Sequence, residues 1–372
     1  MYMVRRTSGL RQMCYTHVHD LKVSLWELKC GAVINFGYLW KKEGDKKMKK
    51  IMLTVIAIMI LSYAAYLIFK DDHPVGHFTS EEGKKDFQNA YHEAMSLLPE
   101  PVDTKNIKTE YGIVRVYYFT KEENKHKEPM MLLPGRAAST PMWESNLEGL
   151  ISERPVYTVD LLGEPGMSIQ TKAIENQKDQ AKWLNEVIIK LGLEKVHIMG
   201  VSIGGWTAMN LVRFFPDHIA SVSLLDPVMV FEPISFKMVL ASIPASVPLI
   251  PQSIREKMLS YISGGAEANE DVPVAKLIES GMRNFKLKVP APDQFSEEDL
   301  QNIHVPVLAL MAENSTMHNS KKAVEKGKKY VKDIEIENWP NASHAINGEF
   351  PNEINNRILR FVEKNSNSKD DR

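Results

Sequence analysis

The chain has 372 residues and a formal net charge of −1, and 44% of its residues are hydrophobic. This length is ample for one large α/β domain with its own core. The first 50 residues hold 11 Lys/Arg and 4 Asp/Glu, a net charge of +7, which leaves −8 for residues 51–372. Such an acidic body argues against nucleic acid as a partner.

The first 47 residues differ from the rest of the chain. They contain both cysteines, Cys14 and Cys30, and show no clear periodicity. Met48 is followed by two lysines and an apolar run, which is typical of the beginning of a signal or anchor segment. We therefore expect residues 1–47 to be a non-native or upstream extension, with the true start at Met48. A protein that starts there has no cysteine, which excludes a disulfide framework and a cysteine nucleophile.

Residues 51–69 form an uncharged apolar segment of 19 residues, IMLTVIAIMILSYAAYLIF, which follows several lysines. This length suffices to cross a bilayer, and the lysine excess places the preceding residues in the cytoplasm. We predict that residues 48–70 are a transmembrane anchor in the cell membrane, with the following domain extracytoplasmic. A secreted protein is the alternative, because Ser62-Tyr63-Ala64 offers a signal-cleavage site.

Beyond this segment, residues 71–104 are interpreted as a polar tether with a short helix near residues 85–98. Apolar runs then alternate with helical patterns. The predicted strands are 128–135, 154–160, 196–201, 219–226, 305–311 and 334–338, and the predicted helices include 171–191, 321–330 and 353–364. This alternation predicts an α/β fold with a doubly wound, mostly parallel sheet.

The predicted core is interrupted once. It comprises residues 105–227 and 301–366, and residues 228–300 between them are too many for a simple connection. This insertion is rich in Met, Leu, Ile and Pro, so we predict a helical cap that supplies an apolar pocket. Residues 367–372 are expected to be a disordered tail.

The sequence Gly200-Val201-Ser202-Ile203-Gly204 follows an apolar strand and precedes a helical run. A sharp strand–turn–helix with Ser at its tip is a nucleophile elbow, and the flanking glycines avoid clashes across the turn. The positive end of the following helix points at the serine. Ser202 is therefore the candidate nucleophile.

A nucleophilic serine needs a base, and the base should follow the last strand. His344 lies six residues after Asn338, in a polar loop, and is the candidate base. His197 lies inside the strand before the elbow and is interpreted as structural, whereas His218 and His304 are interpreted as surface residues.

Several blocks of the chain together resemble the α/β-hydrolase superfamily from about residue 105 to 364. They are Leu132-Leu133-Pro134-Gly135-Arg136-Ala137, Val159 to Ser168 (VDLLGEPGMS), the elbow, Val305 to Leu310 (VPVLAL), and Pro340-Asn341-Ala342-Ser343-His344. Within the superfamily, the chain looks most like bacterial carboxylesterases with a small helical cap.

The resemblance implies an acidic third residue, usually placed after the strand that corresponds to 305–311. The aligned position here holds Ser315, which cannot hold an imidazolium by charge. Two replacements remain open. Asp226 ends the strand after the elbow helix, an arrangement similar to that of haloalkane dehalogenases, and we favour it. Glu313 is the alternative acid, because its longer side chain extends its reach toward His344. Asp160 also ends a strand, but its Gly-rich loop suggests a structural role.

The resemblance also implies an oxyanion hole made of two backbone N–H groups. One is that of Ile203, directly after the nucleophile. The other is assigned to Arg136, with Ala137 as the alternative. We expect the Arg136 side chain to point to solvent, with contact to an acidic substrate as the other interpretation.

These residues predict a serine hydrolase that cleaves small-molecule carboxylic esters through an acyl-enzyme on Ser202. No Cys/His ligand cluster or phosphate-binding glycine loop is visible, so we predict no cofactor and no metal. A catalytically inactive binding module is one alternative, motivated by Ser315. A C–C or amide hydrolase of the same fold is another, since the same residues would serve it.

Overall fold

A computed structural model describes residues 46–69, 71–238 and 272–366. The predicted extension up to residue 45, the middle of the predicted cap (239–271) and the predicted tail (367–372) lie outside the described residues. The chain divides into two compact units, Met1–Asp72 and His73–Arg372.

In the first unit, helix α1 covers Lys46–Phe69. It includes the segment for which the sequence predicts a transmembrane anchor. Among the described residues, however, no helix is both long enough and apolar enough to cross a membrane. The predicted transmembrane helix over 51–69 therefore has no support from the structure.

The second unit is an α/β domain. Its strands are β1 (His77–Phe78), β2 (Asp103–Lys108), β3 (Gly112–Phe119), β4 (Met130–Leu133), β5 (Val156–Val159), β6 (Ile169–Gln170), β7 (Val196–Val201), β8 (Ile219–Leu225), β9 (Phe285–Lys286), β10 (Val307–Ala312) and β11 (Ile334–Trp339). Its helices are α2 (Glu81–Met95), α3 (Glu144–Ile151), α4 (Gln177–Lys190), α5 (Ile203–Phe214), α6 (Pro273–Asn284), α7 (Glu297–Gln301), α8 (Ser320–Tyr330), α9 (Ile346–Glu349) and α10 (Pro351–Ser366).

The main sheet has the strand order β11-β10-β8-β7-β4-β5-β3-β2. In this order, each neighbouring pair from β11 through β10, β8, β7 and β4 to β5 is parallel. Strands β2, β3 and β6 add antiparallel pairs at the other end. This confirms the predicted mostly parallel sheet. Parallel strands end at the same edge, so the loops after β4, β7, β8, β10 and β11 converge there.

Helices cover both faces of this sheet, and alternate residues of one strand serve both cores. On β4, Met131 and Leu133 pack in the cluster that contains residues of α4 and α5. Met130 and Leu132 pack in the other cluster, with residues of α2, α3 and α10. A strand buried on both faces is expected to be apolar throughout, and all four residues of β4 are fully buried.

Helix α2 lies in the segment that the sequence analysis interprets as a tether with a short helix. Ser80 caps its N-terminus by accepting a hydrogen bond from the N–H of Gly83, which satisfies one free donor of the first turn. Its apolar face buries Phe87, Tyr91 and Ala94. Helix α2 is thus part of the folded domain.

The described part of the 228–300 insertion includes α6, which packs against α2 and the loop after β4. A Cβ added to Gly281 of α6 would lie 3.2 Å from the carbonyl oxygen of Ala137. This distance is shorter than most Cβ contacts, so glycine favours the close approach of α6 to this loop. The strand β9 continues from α6 and pairs antiparallel with β1.

Candidate active site

Ser202 lies at the turn between β7 and α5, with φ 53° and ψ −116°. This strained backbone is held because its N–H donates to the carbonyl of Leu225 at 3.0 Å. Glycine is required at the two neighbouring positions, because a side chain there would not fit. A Cβ on Gly204 would lie 2.1 Å from the Leu133 carbonyl oxygen, and one on Gly200 would lie 2.4 Å from that of Gly204. The local sequence therefore folds into the predicted elbow.

His344, from the loop after β11, connects two of the predicted residues. Its Nε2 lies 2.9 Å from Oγ of Ser202, and its Nδ1 lies 2.6 Å from Oδ2 of Asp226. When Nδ1 carries the proton, it donates a hydrogen bond to the carboxylate. Nε2 can then accept a hydrogen bond from the serine hydroxyl. The structure thus brings together Ser202, His344 and Asp226.

Asp226 directly follows β8 and is completely buried. Its Oδ1 accepts the N–H of Ala312 at 3.0 Å, and its Oδ2 accepts the hydroxyl of Ser315 at 2.6 Å. Burial by itself would raise the pKa of this carboxyl, but the neighbouring His318 and His344 hold the pKa well below its ordinary value. Asp226 is therefore a carboxylate, the state that can stabilise an imidazolium.

The backbone beyond Asp226 is fastened to the elbow. The N–H of Val228 points at the carbonyl of Ser202 at 3.4 Å, and a Cβ on Gly205 would lie 2.9 Å from Cβ of Pro227. Contacts between these two backbone segments therefore fix Ser202 and Asp226 relative to each other.

Glu313, the alternative acid, does not meet the histidine. Its side chain is exposed and its Oε2 accepts the N–H of Asn341 at 3.2 Å. The Nδ1 of His344 is already bonded to Asp226. Of the two open choices, the geometry favours Asp226.

The loop after β4 passes beside the nucleophile, since a Cβ on Gly135 would lie 3.9 Å from Cβ of Ser202. Ile203 is the first residue of α5, so its N–H has no acceptor within the helix. Across the described residues, neither that N–H nor the one of Arg136 is used in a hydrogen bond. By contrast, Ala137 donates to Oε2 of Glu164 at 3.3 Å. Arg136 and Ile203 thus remain able to bind an oxyanion.

The sequence predicts that the Arg136 side chain points to solvent, but in the structure it forms an ion pair. Its Nη1 lies 3.0 Å from Oε1 of Glu164. Burial raises the pKa of Glu164, and the charge of Arg136 opposes that rise. The pair fastens the loop after β4 to the loop after β5.

Other predicted polar residues lie away from Ser202. His197 is buried, and its Nδ1 lies 2.8 Å from Oγ of Ser221. Asp160 accepts hydrogen bonds from the N–H groups of Thr140 and Met167 and from the hydroxyl of Tyr91. Both have the structural surroundings that the sequence analysis assigned to them.

The sequence analysis missed two residues of the site. Ser315 was considered only as a missing acid, yet its hydroxyl contacts Asp226. His318 was not considered, although its buried Nε2 lies 3.1 Å from Oδ1 of Asp226. Their position in the loop after β10 could have indicated them, because that loop begins at the same sheet edge as Ser202.

The polar side chains of the site contact each other in a row, from serine to imidazole to carboxylate. This order suits proton transfer, whereas metal ligands converge on one common point.

Comparisons with known proteins agree with this fold. Residues 128–256 match the family model described as alpha/beta hydrolase fold. Together with the parallel sheet and the elbow, this match supports an α/β-hydrolase fold for the chain.

Within that class, the chain resembles carboxylesterases of Bacillus subtilis (strain 168). It is 29% identical to the uncharacterized carboxylesterase nap over 76% of this chain and 93% of the relative. It is 27% identical to carboxylesterase YbfK over 77% of this chain and 96% of the relative. The crystal structure of naproxen esterase (carboxylesterase NP) from Bacillus subtilis superposes with a TM-score of 0.69, at 27% identity, over 76% of this chain and 99% of that one. The resemblance inferred from the sequence is confirmed.

Proposed function

We propose that this protein is a serine hydrolase that cleaves small-molecule carboxylic esters through an acyl-enzyme on Ser202. The observation that carries the proposal is the position of His344, which lies within hydrogen-bond distance of both Ser202 Oγ and Asp226 Oδ2. The likeness to carboxylesterases supports the choice of esters.

In the first half of the reaction, Oγ of Ser202 bonds to the ester carbonyl carbon while Nε2 of His344 takes the hydroxyl proton. The carbonyl oxygen becomes an oxyanion that the N–H groups of Ile203 and Arg136 stabilise. The bond between the carbonyl carbon and the alcohol oxygen then breaks. His344 gives its proton to the leaving alcohol, and the acyl group stays on Ser202.

In the second half, water replaces the alcohol. Nε2 of His344 takes a proton from the water as its oxygen bonds to the acyl carbon. The bond from the acyl carbon to Oγ breaks, the proton returns to Ser202, and the carboxylic acid leaves. Asp226 stays ionised throughout and stabilises the imidazolium formed in each half.

The first test is labelling of the full chain with a fluorophosphonate probe, together with hydrolysis of p-nitrophenyl acetate. We expect the wild type to be labelled and active, because the probe reacts only with an activated serine. We expect the Ser202→Ala variant to be unlabelled, with hydrolysis at the background rate.

Two outcomes would contradict the proposal. An unlabelled, inactive wild type with a cooperative melting transition would favour a binding module. A labelled wild type that leaves a panel of esters intact and cleaves amides or C–C bonds would favour another hydrolase class.

We propose, as a separate point, that the enzyme acts outside the cytoplasm. The uncharged segment 51–69 and the lysines before it support this location. Protease added to intact cells should degrade the enzyme, whereas protection until the cells are lysed would contradict the proposal.

N-terminal sequencing of the native protein would separate an uncleaved anchor from a secreted form, and a native peptide from residues 1–47 would exclude the start at Met48.

A further inference from the structure

The loop after β10 holds a serine where the resemblance leads one to expect the catalytic acid. Oγ of this residue, Ser315, lies 2.6 Å from Oδ2 of Asp226. Nδ1 of His344 lies 2.6 Å from that same oxygen. One carboxylate oxygen therefore receives both the hydroxyl and the imidazole.

We propose that Ser315 is a positioning residue, whose hydroxyl holds the Asp226 carboxylate in the plane in which Oδ2 faces Nδ1 of His344. The proposal rests on the proposed function, because it assigns Asp226 the role of the acid. In this arrangement, the loop after β10 holds the carboxylate of a residue that follows β8.

An aspartate needs such support, since rotation of its carboxyl group about χ2 is broad and roughly two-fold. One hydrogen bond would leave that rotation free. Here Oδ1 is fixed by the N–H of Ala312 at 3.0 Å and Oδ2 by the hydroxyl of Ser315. These two donors on different oxygens define the plane of the group independently of the bond to His344.

The direction of the Ser315 hydroxyl follows from its other contact. Its Oγ accepts the N–H of Met317 at 3.3 Å, so the single hydroxyl proton is left for Asp226. The loop is also tied to the base, because the N–H of Asn314 donates to the carbonyl of Ala342, two residues before His344, at 2.9 Å. Ser315 is thus held in a fixed position relative to both Asp226 and His344.

The charged and titratable groups around this contact are few. In the part of the chain that the structure describes, His344 and His318 face Asp226 directly. Two carboxylates lie beside these loops but are bonded elsewhere: Glu313 to Asn341 and Glu349 to Ser343. Changes at Ser315 should therefore reach catalysis through Asp226 and His344.

The test compares Ser315→Ala with Ser315→Thr, which keeps the hydroxyl, by steady-state hydrolysis of p-nitrophenyl acetate across pH. We expect Ser315→Ala to lower kcat about tenfold with little change in KM, because the lost hydrogen bond serves the transition state and not substrate binding. Loss of a donor leaves more charge on Oδ2 for the imidazolium, so the acid limb of the kcat/KM profile should move up by about half a pH unit. Ser315→Thr should stay close to wild type in both respects.

Wild-type kcat and pH profile in Ser315→Ala would overturn the proposal, and so would equal losses in both variants with an unmoved profile. Ser202→Ala, measured alongside, separates this failure from that of the proposed function. If Ser202→Ala is inactive while Ser315→Ala is unaffected, the esterase stands and only the positioning role falls. If Ser202→Ala keeps its activity, the proposed function itself fails.

Discussion

At the scale of single residues, the site is organised around the carboxylate of Asp226. It is buried and ionised, and it contacts His344 on the oxygen that Ser315 also contacts. A buried charge without partners would be costly, whereas this one receives donors from the end of β10, from the loop after it and from the loop after β11. The proposed acid directly follows β8, and polar residues of the loop after β10 contact it.

Asp226→Asn should lower kcat by about 10³- to 10⁴-fold, because an amide at this position no longer stabilises the imidazolium and favours the wrong tautomer of His344. The matched control is Glu313→Gln, which changes the alternative acid in the same way. It should leave kcat within about twofold of wild type, since surface substitutions away from the site have small effects. Steady-state hydrolysis of p-nitrophenyl acetate measures both. A large loss in Glu313→Gln with an active Asp226→Asn would transfer the acid to Glu313.

At the scale of elements, the turn from β7 to α5 depends on close contact with the end of β4. The carbonyl oxygens of Leu133 and Pro134 would lie 2.1 and 2.6 Å from a Cβ on Gly204. Leu133 and Pro134 lie three and two positions before Arg136, so a displacement there would also move this predicted oxyanion donor. The elbow and the loop after β4 thus fit together as one unit.

Gly204→Ala should therefore lower the free energy of unfolding by about 1–3 kcal/mol through overpacking, and should abolish fluorophosphonate labelling in the fraction that folds. Gly348→Ala is the control, because a Cβ at Gly348 meets no atom within 4 Å. It should change the stability by less than about 0.5 kcal/mol. Urea unfolding measures both, and equal stabilities of the two variants would show that the elbow has more room than the structure gives it.

At the scale of the whole molecule, one buried histidine links the sheet to the C-terminal helix. Nε2 of His197, on β7, lies 3.1 Å from Oε2 of Glu128 and 3.0 Å from Oγ of Ser366 at the end of α10. Burial, aided by the charge of Arg154, lowers its pKa from 6.5 to about 3. The folded protein therefore keeps this imidazole neutral well below the pH at which an unfolded chain would protonate it.

The sign of the resulting pH dependence follows from proton uptake. Between pH 6.5 and about 3, the unfolded chain binds a proton at His197 that the folded protein does not, so acid favours unfolding. This residue should reduce the free energy of unfolding by up to about 1.4 kcal/mol for each pH unit in that interval. In urea unfolding from pH 7 to pH 4, His197→Gln should show a smaller loss of stability with falling pH than wild type. Identical slopes would mean that His197 takes up its proton in the folded state.

Much of this architecture could be predicted because its signals are local. The apolar run into Ser202, with glycines two positions away on each side, defines the elbow without reference to distant residues. The acid could not be settled in this way, since Asp226 and Glu313 both follow strands that end at one sheet edge. The register of β8 against β10, with Leu225 beside Leu310, sets which carboxylate faces His344. The role of Ser315 depends on a loop conformation held by a contact between Asn314 and Ala342, for which no sequence pattern exists.

The placement of the proposed acid directly after β8 also has a consequence for the order in which the site can assemble. Ser202 and Asp226 are separated by only 24 positions, and the β7-α5-β8 segment that carries both pairs its own strands in parallel. Contacts between residues near in sequence form with less loss of chain entropy than distant ones. Ser202 and Asp226 can therefore be positioned by one local folding unit. His344, 142 positions from the serine, has to be brought to them by contacts between distant parts of the chain.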